Sequence, residues 1–151
     1  MNNEIIPLMN IRLQIDVADW REAVMAAGEL LVSGKCTLSA YTDEMLDVVD
    51  QYGPYIVVAP GIALAHSRPS ASVLTAGLSL ITLSSPIPFG HEENDPVWVV
   101  LALCAPDKNC HLALLAQLVS FLDDDNNLTL LKDCEDAETL SLAINKTQTG
   151  E

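Results

Sequence analysis

The run VWVVLALCA at 97–105 is the strongest constraint on how this chain folds. It carries almost no polar group, so a strand made from it must be covered on both faces. It is too short for the roughly 18 apolar residues that cross a bilayer, and its valines favour a strand over a helix. A central strand is the expectation. Three other short apolar runs bounded by Pro and Gly read as strands as well: YIVVA at 55–59, a short IALA at 62–65 and a longer TAGLSLITL at 75–83. Between the last of these and the central strand, the acids and prolines of SSPIPFGHEENDP predict an exposed loop.

Helices surround these strands. Asp19 with Glu22 has the capping-box spacing, and Ala23, Val24, Ala27, Leu30 and Leu31 follow at helical spacing, which predicts a helix over 20–32 closed by Ser33-Gly34. A second helix, capped near Ser39, puts Tyr41, Met45, Val48, Val49 and Tyr52 on one face until Gly53-Pro54 stops it. After the central strand, a helix over 110–122 is expected to bury Leu112, Leu115, Val119 and Leu122. The stretch 123–127 breaks it, and short helices over 128–132 and 137–145 finish the chain. A single domain over 1–147 with a frayed tail at 148–151 is the organisation this implies.

A formal charge of -14, with only seven Lys and Arg residues scattered along the chain, argues against nucleic acid and for a basic protein partner. The start MNNEIIPLMNIRL lacks the basic and apolar regions of a signal peptide, so a cytoplasmic protein without membrane insertion is expected. Cys36, Cys104, Cys110 and Cys134 form no CxxC and are read as reduced, mostly buried thiols.

The chemistry therefore falls to few residues. In APGIALAHSRP at 59–69, a strand or turn ending in His66 leaves an imidazole at the mouth of the sheet, where ligands of α/β proteins tend to bind. Ser67 and Arg68 follow, and Pro69 keeps Arg68 out of helical geometry. His111 lies in the first turn of the helix after the central strand, where unpaired N–H groups attract phosphate and favour a neutral imidazole. One nucleophilic histidine, an arginine able to hold phosphate oxygens and a second histidine at a helix start suggest histidine phosphorylation. His91 sits in the acidic loop and is expected to be exposed. The three histidines have no metal-site spacing, and Cys104 and Cys110, which flank the presumed site, carry no redox motif.

These residues match a known pattern. YGPYIVVAPGIALAHSRP, followed by FGHEENDPVWVVLALCAPDKNCH, resembles the region around the phosphorylated histidine in IIA components of the bacterial phosphoenolpyruvate-dependent sugar phosphotransferase system, of the mannitol/fructose class and its ascorbate-like branch. The resemblance covers essentially the whole chain, including DWREAV near Trp20 and the stretch to His111 and beyond. It implies a three-layer α/β sandwich with a mixed sheet of about five strands flanked by helices. It also implies that His66 accepts a phosphoryl group from phospho-HPr and passes it to a cysteine of a IIB component, which serves a membrane IIC protein. His111 would be the second active-site histidine, Arg68 and Ser67 candidate phosphate contacts, and no cofactor would be required.

The match has departures. The proline usual before the histidine is Ala65 here, and the glycine or alanine usual after it is Ser67, which touches loop stiffness and partner approach. The arginine that the mannitol branch draws from the preceding helix is absent from the helix ending at Tyr52, which makes Arg68 the candidate replacement. A regulatory or degenerate IIA-like module, reporting sugar status without feeding a transporter, is the alternative. A small hydrolase using His66 as base would lack a well-placed nucleophile, because Ser67 is adjacent to it in sequence.

Overall fold

A computed structural model describes residues 6–147. The expected tail at 148–151 lies outside the described residues. The strands are β1 (Ile11–Ile15), β2 (Val57–Ala59), β3 (Ile62–His66), β4 (Gly77–Ile87) and β5 (Val97–Cys104). The helices are α1 (Trp20–Ser33), α2 (Ser39–Tyr52), α3 (Lys108–Leu122), α4 (Asp125–Asp133) and α5 (Ala137–Thr147). Strand order is β1-β4-β5-β3-β2, with β1/β4 and β3/β5 parallel and β4/β5 and β2/β3 antiparallel. The sheet is mixed and β5 is its central strand, as the uninterrupted apolar run predicts.

Alternation along β5 divides the core in two. Val100, Ala102 and Cys104 face α1 and α2, packing with Ala27, Leu31, Tyr41, Met45 and Val49. Val99, Leu101 and Leu103 face the opposite layer, where Leu118 and Phe121 of α3, Leu131 of α4 and Leu140 and Ile144 of α5 cover them. A strand pleated with period two and buried on both faces needs apolar residues at every position, and β5 supplies them. Among the described residues no helix is long and apolar enough to cross a membrane.

Local chemistry sets the ends of α1. The Asp19 carboxylate accepts from the Glu22 N–H at 3.0 Å, while Glu22 Oε1 accepts from the Ala18 N–H, one residue earlier than the usual reciprocal partner. Helix α2 departs from expectation at its start. Ser39 is its first helical residue, and Leu38 stands at the cap with no side-chain cap bond. Its end is as predicted, with Gly53 at φ 84°, a conformation glycine adopts at little cost.

Other differences have clear causes. β1 belongs to none of the expected strands. It is an edge strand paired only with β4, and its alternating Arg12 and Gln14 keep its apolar content low. β4 runs on to Ile87 through the segment read as loop, and a register shift between Thr82 and Ile87 accommodates Pro86, which cannot donate to a ladder. α3 begins at Lys108 because Asp107 caps it, accepting from the Cys110 N–H at 2.8 Å. Its buried side is rotated from the expected one: Leu118 and Phe121 are buried, while Leu112 and Val119 are exposed. α4 starts at Asp125 inside the expected break, because Asp124 supplies a cap by accepting from the Asn126 N–H.

Candidate functional site

The C-terminal ends of the parallel pair β3 and β5 meet the start of α3 and the end of α2. His66 is the last residue of β3 and pairs with Leu103. Ala65 pairs with Ala102 inside the same ladder. His111 occupies the first turn of α3, and its ring centroid lies 5.7 Å from that of His66. The Tyr55 ring approaches His66 edge-on at 5.8 Å. Val48, Tyr52, Tyr55, His66, Ser67, Arg68, Pro69, Lys108 and His111 line an open cleft of about 390 Å³. All four residues singled out from sequence, His66, His111, Arg68 and Ser67, thus converge on one cavity.

His66 is oriented by its own strand. Its Nδ1 lies 3.0 Å from the Leu64 carbonyl, which can only accept, so Nδ1 carries the proton. In the neutral ring the lone pair is then on Nε2. His111 titrates below the ordinary histidine value, first because burial disfavours its charged form and second because His66 is close by. Asp107, at the cap of α3, is held below the usual carboxylate range, mainly by the Cys110 N–H that it accepts. Burial raises the Tyr55 phenol, with Tyr52 adding to the effect.

Two of the chain's seven basic side chains, Arg68 and Lys108, reach the cleft. Neither is held in an ion pair; among the described residues the only such pair is the exposed Arg21–Asp50. The loop carrying Arg68 is braced onto α2, where Glu44 accepts from the hydroxyls of Ser70 at 2.8 Å and Ser72 at 2.6 Å. Behind it, Tyr41 is fully buried, with its hydroxyl bonded to the backbone of both Ser67 and Leu103. Burial pushes this phenol up, so its hydroxyl keeps its proton.

Sequence reasoning missed Lys108, Tyr52, Tyr55 and the polar role of Tyr41. A signal for Lys108 was present, because it precedes His111 by three residues and so shares its side of the helix. Tyr52 and Val48 were placed on one face of α2 with the buried Tyr41, Met45 and Val49, yet Tyr52 is 68% exposed and both line the cleft.

Other candidates fall elsewhere. His91 does not line the cleft and is half-buried rather than exposed, because its Nδ1 accepts the N–H groups of Glu93 and Asn94. Cys104 is buried with Cys36, the two sulfurs flanking Gly77, whereas Cys110 hydrogen-bonds to Asp107. Cys104 and Cys110 therefore take different partners. Cys104 Sγ donates to the Thr75 and Gly77 carbonyls, and the closeness of the two thiols lowers the pKa of Cys36 and raises that of Cys104.

Comparison with known proteins gives a consistent set of likenesses. The family described as "Phosphoenolpyruvate-dependent sugar phosphotransferase system, EIIA 2" matches residues 4–147. An ascorbate-specific PTS system EIIA component of Salmonella choleraesuis is 39% identical over 139 residues, covering 91% of this chain and 90% of that protein. The solution structure of the mannitol-specific cryptic phosphotransferase enzyme IIA CmtB from Escherichia coli superposes with a TM-score of 0.84 at 25% identity, over 94% of this chain and 96% of that one. The mannitol IIA in complex with phosphorylated mannitol IIB from Escherichia coli gives 0.81 at 25% identity, over 97% and 98% of the two chains.

Proposed function

Since the chain belongs to the EIIA 2 family of the phosphoenolpyruvate-dependent sugar phosphotransferase system, we propose that it is a phosphoryl carrier using Nε2 of His66. The observation that carries this reading is the pairing of His66 and His111 in a cleft also lined by Arg68 and Lys108. The Leu64 carbonyl fixes the Nδ1–H tautomer, so the Nε2 lone pair is the nucleophile. The donor is a phosphohistidine of HPr. As Nε2 attacks phosphorus in line, the donor's P–N bond breaks and its electron pair returns to the donor imidazole. The product is a phosphoramidate on His66, which keeps a high transfer potential.

The second transfer reverses the roles. A cysteine thiolate of a cognate IIB component attacks phosphorus, the P–N bond to His66 breaks, and the imidazole leaves. A IIB partner is supported by the likeness to a mannitol IIA that was solved in complex with phosphorylated IIB. The charged IIB then serves a membrane IIC protein, where the sugar is selected. Such transfers require positioning and charge stabilisation above all. Arg68 is the fork-shaped contact to phosphoryl oxygens and Lys108 the point charge, with Ser67 and His111 as neutral donors. The protein would act in the cytoplasm, as one EIIA domain over 1–147.

The test is intact-mass spectrometry after incubation with phosphoenolpyruvate, enzyme I and HPr. Wild type should gain one phosphoryl group, acid-labile and base-stable, that His66→Ala abolishes. A folded wild type that stays unmodified would remove the carrier reading and leave the regulatory IIA-like module.

A further inference from the structure

The end of the β3/β5 ladder is built in an unusual way. His66 and Leu103 are its last paired residues. One step on, the Ser67 N–H and the Leu103 carbonyl are the donor and acceptor that another rung would join. The hydroxyl of Tyr41 stands between them instead, accepting from the Ser67 N–H at 2.9 Å and donating to the Leu103 carbonyl at 2.7 Å. The Ser67 carbonyl, 3.2 Å from the same oxygen, is its alternative acceptor. Tyr41 comes from α2, which crosses one face of the sheet, and its ring is fully buried among the side chains between helix and sheet.

We propose that Tyr41 is a positioning residue, a wedge that holds the ends of β3 and β5 apart and thereby sets the separation of His66 from His111. The geometry gives the reason. The residue before the wedge is His66, and the chain beyond Leu103 leads through Ala105 and the Asp107 cap into the α3 turn that carries His111. A direct rung between Ser67 and Leu103 would draw the two strand ends together by the width of a hydroxyl. The imidazoles, with ring centroids at 5.7 Å, would move with them. Tyr41 touches neither a phosphoryl group nor a partner in this account; it acts through backbone.

Tyr41→Phe removes the hydroxyl and keeps the ring in its place. Ser79→Ala is the control, because it deletes another buried hydroxyl bond, Ser79 Oγ to the Ala27 carbonyl at 2.7 Å, on the β4–α1 side of the same core. Two readouts separate positioning from stability. In NMR titrations of the unphosphorylated protein, Tyr41→Phe should shift the His111 midpoint, which responds to its distance from His66, while Ser79→Ala leaves it at the wild-type value. In phosphoryl transfer from phospho-HPr, Tyr41→Phe should lower kcat about tenfold with KM little changed, since small misplacements of reacting groups have large effects on rate. The rate arm rests on the carrier reading, whereas the titration arm does not. If wild type accepts no phosphoryl group, the titration alone decides the wedge. A Tyr41→Phe protein that is merely less stable, with the wild-type His111 midpoint and the wild-type kcat where transfer occurs, would overturn it.

Discussion

His111 sits in the first turn of α3, partly buried and close enough to His66 for that ring to bear on its titration. Both influences hold its titration below the ordinary histidine value in the unmodified protein, so near neutral pH it is uncharged. Phosphorylation of His66 would place a doubly negative group beside it and reverse the sign of the local field. An adjacent anion favours the imidazolium, so the His111 midpoint should rise on phosphorylation and the protein should take up protons at a pH between the two midpoints. Histidine-resolved NMR titrations of the free and phosphorylated forms read this directly. An unchanged or lower midpoint after phosphorylation would mean that His111 does not face the transferred group. The imidazolium would hold the phosphoryl oxygens more strongly than the neutral ring does, so the same switch would favour retention at low pH and release at high pH.

Among the elements, α2 carries the most consequences, because it presents Tyr41 to the strand ends, Glu44 to the Arg68 loop, and Val48 and Tyr52 to the cleft. Its seat against α1 depends on Gly28, where an added Cβ would lie 2.4 Å from Thr42 Oγ1 and 2.8 Å from Thr42 Cγ2. Thr42 is β-branched and stiff, so it yields little. Gly28→Ala should gain about 1 kcal/mol of helix propensity yet lose more to overpacking, typically ~1–3 kcal/mol. A lower urea midpoint with an unchanged m-value is the expected result, and a higher midpoint would show that α2 can shift freely. Elements of this kind were legible where sequence chemistry acts locally. The Asp19 cap, the Gly53 stop and the all-apolar β5 were each readable from residue type and period. β1 was not, because an edge strand such as IRLQI takes its identity from its partner β4, far away in sequence. The exposed side of Tyr52 and the wedge at Tyr41 escaped for the same reason. Periodicity places a residue on a helix face, while what that face meets is decided by packing.

The whole molecule carries a formal charge of -14, yet two of its seven basic side chains gather at the candidate site. This divides the work of electrostatics. On the carrier reading, Arg68 and Lys108 would act at contact distance on a phosphoryl group, whereas the net negative charge of the molecule would act at long range on an approaching protein. A phosphoryl donor whose docking face is basic would be steered toward the surface, with its own phosphate meeting the local cations. Steering of this kind is screened beyond about 8–10 Å at physiological salt, so it governs encounter more than the chemical step. The association rate with phospho-HPr should therefore fall by roughly tenfold or more as sodium chloride rises from low to molar concentration, while single-turnover transfer within the complex changes little. Stopped-flow measurements at several donor concentrations separate the two. A rate of association indifferent to salt would show that the acidic surface plays no part in meeting the donor. The partner's docking would then rest on the apolar and aromatic rim of the cleft formed by Val48, Tyr52 and Tyr55.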